Sequence, residues 1–448
     1  MTSIVVNRLP VETGRSGWEA ISERTFAPAQ LHEDITADWI IVGAGFGGLS
    51  AARRLLQLRP TDRVVVLDAK QLAEGPAGRN SGYMIDVPHS LSSGEYSAAD
   101  AETTASEIAQ NRYAIAFAKS AAEEYQISPN AFDPSGKINA AATPRGMRLN
   151  ARYAESLQRI GEQREILDAR DMRELTGTDY YLGGLRTPGA VMIQPADYIY
   201  ALARGVHQQV RIYENSAVQS LQKTGGTWRA RTPLGSVSAP KVILAVNGHI
   251  QSFGHFKGRL MHVFTYASMS AAFDQKNFGG KVSGAPRWAV LPADPMGATV
   301  RKITAQGKSR IVVRTRFTYE PSMQVSEARV AGIAADQRKS FVARFPELKA
   351  VPLEYSWAGR LCLSRNNAPA FGEIEPGLFS ACCENGLGTV KSTLAGVMAV
   401  DLATGTSSVQ LDTFRNQPQP SRIPPEPIAW LGINSVIRWQ ELRAGREN

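Results

Sequence analysis

The stretch from Asp38 to Asp68 constrains this chain more than any other. Asp38 to Val42 (DWIIV) is an apolar run that stops at Gly43, and Gly43-Ala44-Gly45-Phe46-Gly47-Gly48 spells G-x-G-x-x-G. Leu49 to Leu58 repeats apolar residues at helical spacing until Pro60 ends it, and Arg63 to Leu67 is a second buried run. A strand, a helix and a parallel strand in about 30 residues form the unit that holds a dinucleotide. Its glycine turn lets backbone N–H groups point at a pyrophosphate from the positive end of the helix. Asp68 follows Gly48 by 20 residues and ends the second strand, where a carboxylate accepts from ribose hydroxyls. Glycine runs also occur in ordinary turns; the strand before, the helix after and the acid at Asp68 favour the dinucleotide.

At 448 residues the chain exceeds a usual domain severalfold, so two interlocked cores are expected. With 43% hydrophobic and 20% charged residues it has the balance of a globular protein, neither disordered nor fibrous. No stretch approaches the roughly 18 to 20 uninterrupted apolar residues that cross a bilayer, and the first residues lack a basic segment followed by an apolar run. A cytoplasmic protein without a membrane span is expected. The formal charge of +9 is spread along the chain, with no basic block interleaved with aromatics, which argues against nucleic acid. Positive potential that steers an anionic cofactor or an acidic small substrate fits better. Cys362, Cys382 and Cys383 lack disulfide-framework or zinc spacing and read as core thiols, and no metal site is expected.

Residues 1–35 show no clean period and read as an arm on the body. Ala- and Glu-rich helical stretches fill 100–126 and 147–165. Arg211 to Leu221, Trp228 to Thr232 and Lys241 to Val246 read as strands, and the alternation from Ser309 to Tyr319 suggests an antiparallel sheet with one wet face. A proline-rich tail from Pro418 to Pro427 precedes a short amphipathic helix that docks back.

Four further segments bear on the cofactor: Gly78 to Gly82 (GRNSG), Gln194 to Leu202 (QPADYIYAL), Trp357 to Gly372 (WAGRLCLSRNNAPAFG) and Glu384 to Gly396 (ENGLGTVKSTLAG). With the glycine fingerprint, they make residues 36–405 resemble the D-amino-acid oxidase superfamily of flavoproteins, and within it the gamma-glutamylputrescine oxidase-like amine oxidases. The resemblance implies an α/β fold: a glutathione-reductase-like FAD-binding Rossmann domain from 36–84, 194–250 and 355–405. An inserted α+β substrate domain with an antiparallel sheet would take 85–193 and 251–354, and 406–448 would be a C-terminal tail. It also implies FAD, with the pyrophosphate on Gly43, Gly45, Phe46, Gly47 and Gly48 and the adenine ribose on Asp68 and Ala69. The ring system would lie by Arg79, Asn80, Ser81 and Gly82, by Asn247, and by Gly386, Leu387, Gly388 and Thr389. Val218 is either an adenine-side contact or core.

The reaction implied is oxidation of a C–N bond in a small amine or amino acid, with hydride passing to flavin N5 and the imine hydrolysing to a carbonyl product. Oxygen or another acceptor would reoxidise the flavin. An amine dehydrogenase serving a quinone or a carrier protein, and a nonenzymatic flavoprotein subunit, are the competing readings. Lys391 is the candidate positive charge beside the ring, against a solvated surface lysine. Arg360 is the candidate anchor for an acidic substrate group, against an interdomain salt bridge. His89, with Asp86 nearby, is the candidate acceptor of the amine proton, against a structural histidine. Leu387 stands where the family often has histidine, and Cys362 lies near a position where some relatives bind flavin covalently. Tyr83, Tyr266, Trp288, Tyr319 and Trp357 are the aromatics available to cage an amine.

Overall fold

The computed structural model describes residues 2–88, 101–278, 284–305 and 307–448. The strands that position the site are β1 (Trp39–Val42), β2 (Val64–Leu67), β3 (Val210–Tyr213), β4 (Lys241–Leu244), β5 (Leu260–Ser270), β6 (Lys308–Tyr319), β7 (Leu353–Ser364), β8 (Ala370–Glu375) and β9 (Leu378–Cys382). The helices that matter most are α1 (Phe46–Leu58), α2 (Ala101–Glu124), α3 (Gly388–Thr404) and α4 (Ile428–Ala444).

β1 and β2 are buried at every residue, as strands covered on both faces must be. They sit inside a six-stranded sheet of order β3-β2-β1-β4-β9-β8, parallel except for β8 at the edge. Alternation along the strands divides the core. Ile41, Val64, Val66 and Ile243 pack with α1 and α3 on one face. Ile40, Val42, Val65 and Val242 face Leu221, Trp228 and Val237 of a five-stranded sheet on the other. The carboxyl ends of β1, β2 and β4 therefore open together at one edge, where ligands of open α/β sheets bind.

A second, eight-stranded sheet begins β7-β5-β6 and continues through Thr299–Ala305, Trp288–Pro292, Lys137–Ala141, Gly183–Thr187 and Glu165–Leu167. It is antiparallel apart from the pairing of Trp288–Pro292 with Lys137–Ala141. β7 pairs with β5 along its whole length, so the expected boundary at 355 is displaced: this strand joins the large sheet and the chain returns to the six-stranded one only at β8.

Two other expectations change. Arg211 to Leu221 is not one strand: it breaks after Tyr213, where Asn215 takes a left-handed turn and the Glu214 carboxylate receives Leu72 N–H and the Arg24 guanidinium. The arm is woven in rather than laid on: Thr2–Val5 and Asp34–Thr36 are the edge strands of the five-stranded sheet. Among the described residues no helix is long and apolar enough to cross a membrane.

Candidate active site

The turn after β1 is shaped by backbone proximity. Gly43 has φ of +103°, and a Cβ there would lie 2.5 Å from the Ala245 carbonyl oxygen; a Cβ at Gly48 would lie 1.8 Å from the Gly43 carbonyl oxygen. Only glycine lets α1 press this closely on the strand ends. Gly45 caps α1 without a side-chain hydrogen bond, which leaves its first amides facing a cavity lined by Gly43, Ala44, Gly45, Phe46 and Gly47. Gly48 lies behind this wall.

Asp68 lines the same cavity with Ala69 and Val218. Its Oδ2 accepts from Ala44 N–H at 2.7 Å and its Oδ1 from Lys70 N–H at 2.9 Å, which aims the carboxylate across the turn. Burial pushes its pKa up to about 6, against the pull of those two bonds. An uncapped helix start, a cradle that a Cβ would fill and a half-buried acid with spare lone pairs make a donor and acceptor set that fits the pyrophosphate and ribose of FAD.

The GRNSG segment forms another wall. Arg79, Asn80 and Ser81 line the cavity, whereas Gly82 stands behind it, where a Cβ would meet Arg301 and the Ile193 carbonyl. Two buried tryptophans hold the segment: Trp357 Nε1 donates to the Arg79 carbonyl at 3.1 Å and Trp18 Nε1 to that of Asn80 at 3.0 Å. Gly386, Leu387, Gly388 and Thr389 line the cavity at the start of α3, which also lacks a side-chain cap. Asn247, at φ of +48°, donates from Nδ2 to Glu384 Oε1 at 2.5 Å and accepts Cys383 N–H on Oδ1 at 3.2 Å. Glu384 lines the cavity too; its Oε2 is buried without a partner, and burial pushes its pKa up to about 7.

The three expected catalytic groups fare differently. Lys391 is absent from the cavity wall, and its Nζ pairs with Glu107 of α2 at 2.8 Å. Arg360 reaches the wall, but its fork is engaged: Nη2 meets Glu12 Oε1 at 3.1 Å and Nη1 donates to the Met323 carbonyl at 3.1 Å. His89 lies outside the described residues. Asp86 pairs with Arg112 at 3.0 Å, away from the cavity. Of the five aromatics only Tyr83 lines the cavity. Cys362 is a buried thiol off its wall, with its pKa raised chiefly by the neighbouring Cys383 and by burial.

Arg314, on β6, is the site residue that sequence reading missed. It lines the cavity with Thr265, Leu291, Tyr83 and Ile85, stacks over Phe317 at 4.8 Å, and has no carboxylate within ion-pairing distance among the described residues. Burial pulls its pKa down to about 10. Alternation gives Arg314 and Arg316 the same face, so neither stands out in the sequence. A bulge separates them: Thr265 pairs with Phe317 and Tyr266 with Thr315, leaving Arg316 at φ of +63° to pair with Asp336 and Glu441. The arm is the other missed part: Val6, Arg8, Leu9, Pro10 and Glu12 all line the cavity.

The sequence pattern of the FAD-dependent oxidoreductase family matches residues 38–402. The chain belongs to this family. Its cofactor is therefore FAD, and the resemblance read from the glycine fingerprint and GRNSG is borne out. Among curated proteins, the chain is similar to a probable oxidoreductase OrdL of Haemophilus influenzae, 26% identical over 86% of each chain. It is also similar to gamma-glutamylputrescine oxidoreductase of Escherichia coli, 24% identical over 90% of this chain and 92% of the other. The crystal structure of glycine oxidase from Geobacillus kaustophilus superposes with a TM-score of 0.68 at 20% identity, covering 87% of this chain and all of that one, which shows a common fold.

Proposed function

We propose that this flavoprotein oxidises a C–N bond in a small amine or amino acid that carries an acidic group, in a crevice between a glutathione-reductase-like FAD domain and the eight-stranded sheet. The observation that carries this reading is Arg314, a half-buried guanidinium on the cavity wall with no carboxylate in ion-pairing distance among the described residues. A desolvated cation with free donors is a receptor for a carboxylate, and the planar fork binds one through two parallel bonds. Arg360, already held by Glu12, yields that role to it. The names of the relatives, an oxidoreductase acting on gamma-glutamylputrescine and a glycine oxidase, support a nitrogen substrate with an acidic end.

Bound FAD supplies the hydride acceptor, N5, and the protein supplies orientation and charge. The first amides of α1 would hold the pyrophosphate, Asp68 the ribose, and the segments 79–81 and 386–389 would flank the ring system. Tyr83, Ile85 and Leu291 give the substrate side apolar walls that exclude water. The substrate, losing two electrons and a proton to the bound flavin, would leave as an imine that water hydrolyses to a carbonyl product, and oxygen or another acceptor would take up the electrons.

The test is anaerobic mixing of the yellow protein with pairs of amines matched in shape, one of each pair bearing a carboxylate. Bleaching by the acidic member, much faster than by the neutral one, is expected. No bleaching by any amine would return the chain to the class of nonenzymatic flavoproteins, and equal rates within each pair would remove Arg314 from the assignment.

A further inference from the structure

α4 is apolar on both sides. Its inner face, with Ala429, Ile433 and Ile437, packs on Val263, Phe317 and Tyr319 of the large sheet. On the outer face Ile428, Leu431, Val436, Trp439 and Leu442 are 53–78% exposed. At 100° per residue these five, with Gly432 and Ser435 between them, form one continuous stripe opposite Ile437. A soluble surface seldom presents so many large apolar side chains in one row unless something covers them.

The charges identify the cover. Both carboxylates of this segment point inward: Glu441 receives Arg316 and Phe317 N–H, and Glu447 receives the Ala142 and Thr143 N–H groups. Glu426, before the helix, is held by the Tyr319 hydroxyl and Trp430 N–H. The exposed charges along the helix are cationic. Arg438, whose side chain is 63% exposed while pairing with Glu441, borders one side of the stripe, and Arg443, stacked on Trp439 at 4.5 Å, stands within it near its carboxyl-terminal end.

We propose that this outer face seats the protein on an anionic lipid surface, with α4 lying in the interface plane. An apolar stripe containing tryptophan, with one arginine beside it and one within it and no exposed acid on the helix itself, matches the headgroup boundary in both chemistry and sign. A second copy of the chain fits less well, because two such faces would bring arginine against arginine. The surface adjoins the catalytic cavity: Leu361 of β7 packs in the cluster beneath α4 and lines the cavity as well. A lipid-soluble substrate or electron acceptor would thus meet the protein beside its site.

The experiment is co-sedimentation of the full-length, FAD-loaded protein with vesicles of phosphatidylcholine alone or mixed with phosphatidylglycerol. Binding to the anionic vesicles, weakened by added salt, is expected. Leu431→Ser/Trp439→Ser and Arg438→Gln/Arg443→Gln should each lower the partition by about tenfold or more, with flavin absorbance and thermal midpoint unchanged. Should the first pair disturb either, Leu442→Ser, the most exposed position, gives the same reading alone. Absence of binding to anionic vesicles, or equal binding by the variants, overturns the proposal. So does a light-scattering mass that falls from dimer to monomer in Leu431→Ser/Trp439→Ser without vesicle binding by the parent, which assigns the face to a second copy. Vesicle binding reports on this face alone and leaves the amine assignment to the bleaching experiment.

Discussion

Glu384 shows how much one side chain can be set by its surroundings. Its carboxyl, buried on the cavity wall, has its pKa raised from 4.5 to about 7, while in the unfolded chain it ionises at the ordinary value. Between those values the folded protein binds the extra proton, so stability falls as pH rises from 4.5 to 7 and the loss is complete above that range. The difference amounts to an order of 3 kcal/mol. Glu384→Gln, which has no charge to desolvate, should remove that slope. Urea unfolding of the FAD-free proteins at pH 5 and pH 8 measures it, and parallel profiles for parent and variant would rule the effect out. Arg314 is the complementary case, a cation with no acid in ion-pairing distance among the described residues. Replacing it with Gln should raise KM for an acidic amine about 10- to 100-fold, the worth of a charge-assisted pair, and leave a neutral analogue's KM unchanged. Initial-rate measurements on the two substrates separate the outcomes.

At the scale of elements, the crossing of α1 and α3 decides how closely the start of α1 sits on the strand ends. A Cβ at Gly396 of α3 would lie 2.0 Å from the Gly47 carbonyl oxygen of α1, so the two backbones touch. Gly396→Ala must push α1 off the strand ends, at a cost of about 1–3 kcal/mol for overpacking. Because the α1 amides face the cavity, the same change should weaken FAD retention; flavin absorbance after dialysis and a thermal melt read both effects. A strand is decisive as well. The bulge between β5 and β6 turns Arg314 to the cavity and Arg316 to α4, and a regular ladder would have left both on one face.

For the whole molecule, its two ends tie the parts together. Glu12 of the arm meets Arg360 at 3.1 Å and Arg79 at 3.8 Å, all three deeply buried at the cavity. Burial dominates the Glu12 carboxyl and raises its pKa, with Arg360 and Arg79 pulling the other way. Glu12→Ala leaves both guanidiniums without their acid and should cost about 3–5 kcal/mol, with faster loss of FAD as the arm loosens. Denaturant unfolding and flavin fluorescence after dilution test this. At the other end, Glu447 Oε1 accepts the Ala142 and Thr143 N–H groups and the Thr143 hydroxyl, so the last turn closes the helix that starts at Pro144.

The glycine turn and its acid could be read from the chain because they are local, a glycine run, a two-sided apolar strand and a 20-residue spacing within one supersecondary unit, and the walls at 79–81 and 386–389 because each is a short contiguous motif. Arg314, Glu384 and Glu12 could not, since charge in a cavity depends on which distant groups come near. The same limit explains Arg360 and Lys391, whose types suited an active site but whose partners, Glu12 and Glu107, lie 348 and 284 residues away. Local patterns set the glycine turn and the walls beside it; pairing across the folded chain decided that Arg360 and Lys391 are held by acids while Arg314 has none in reach among the described residues.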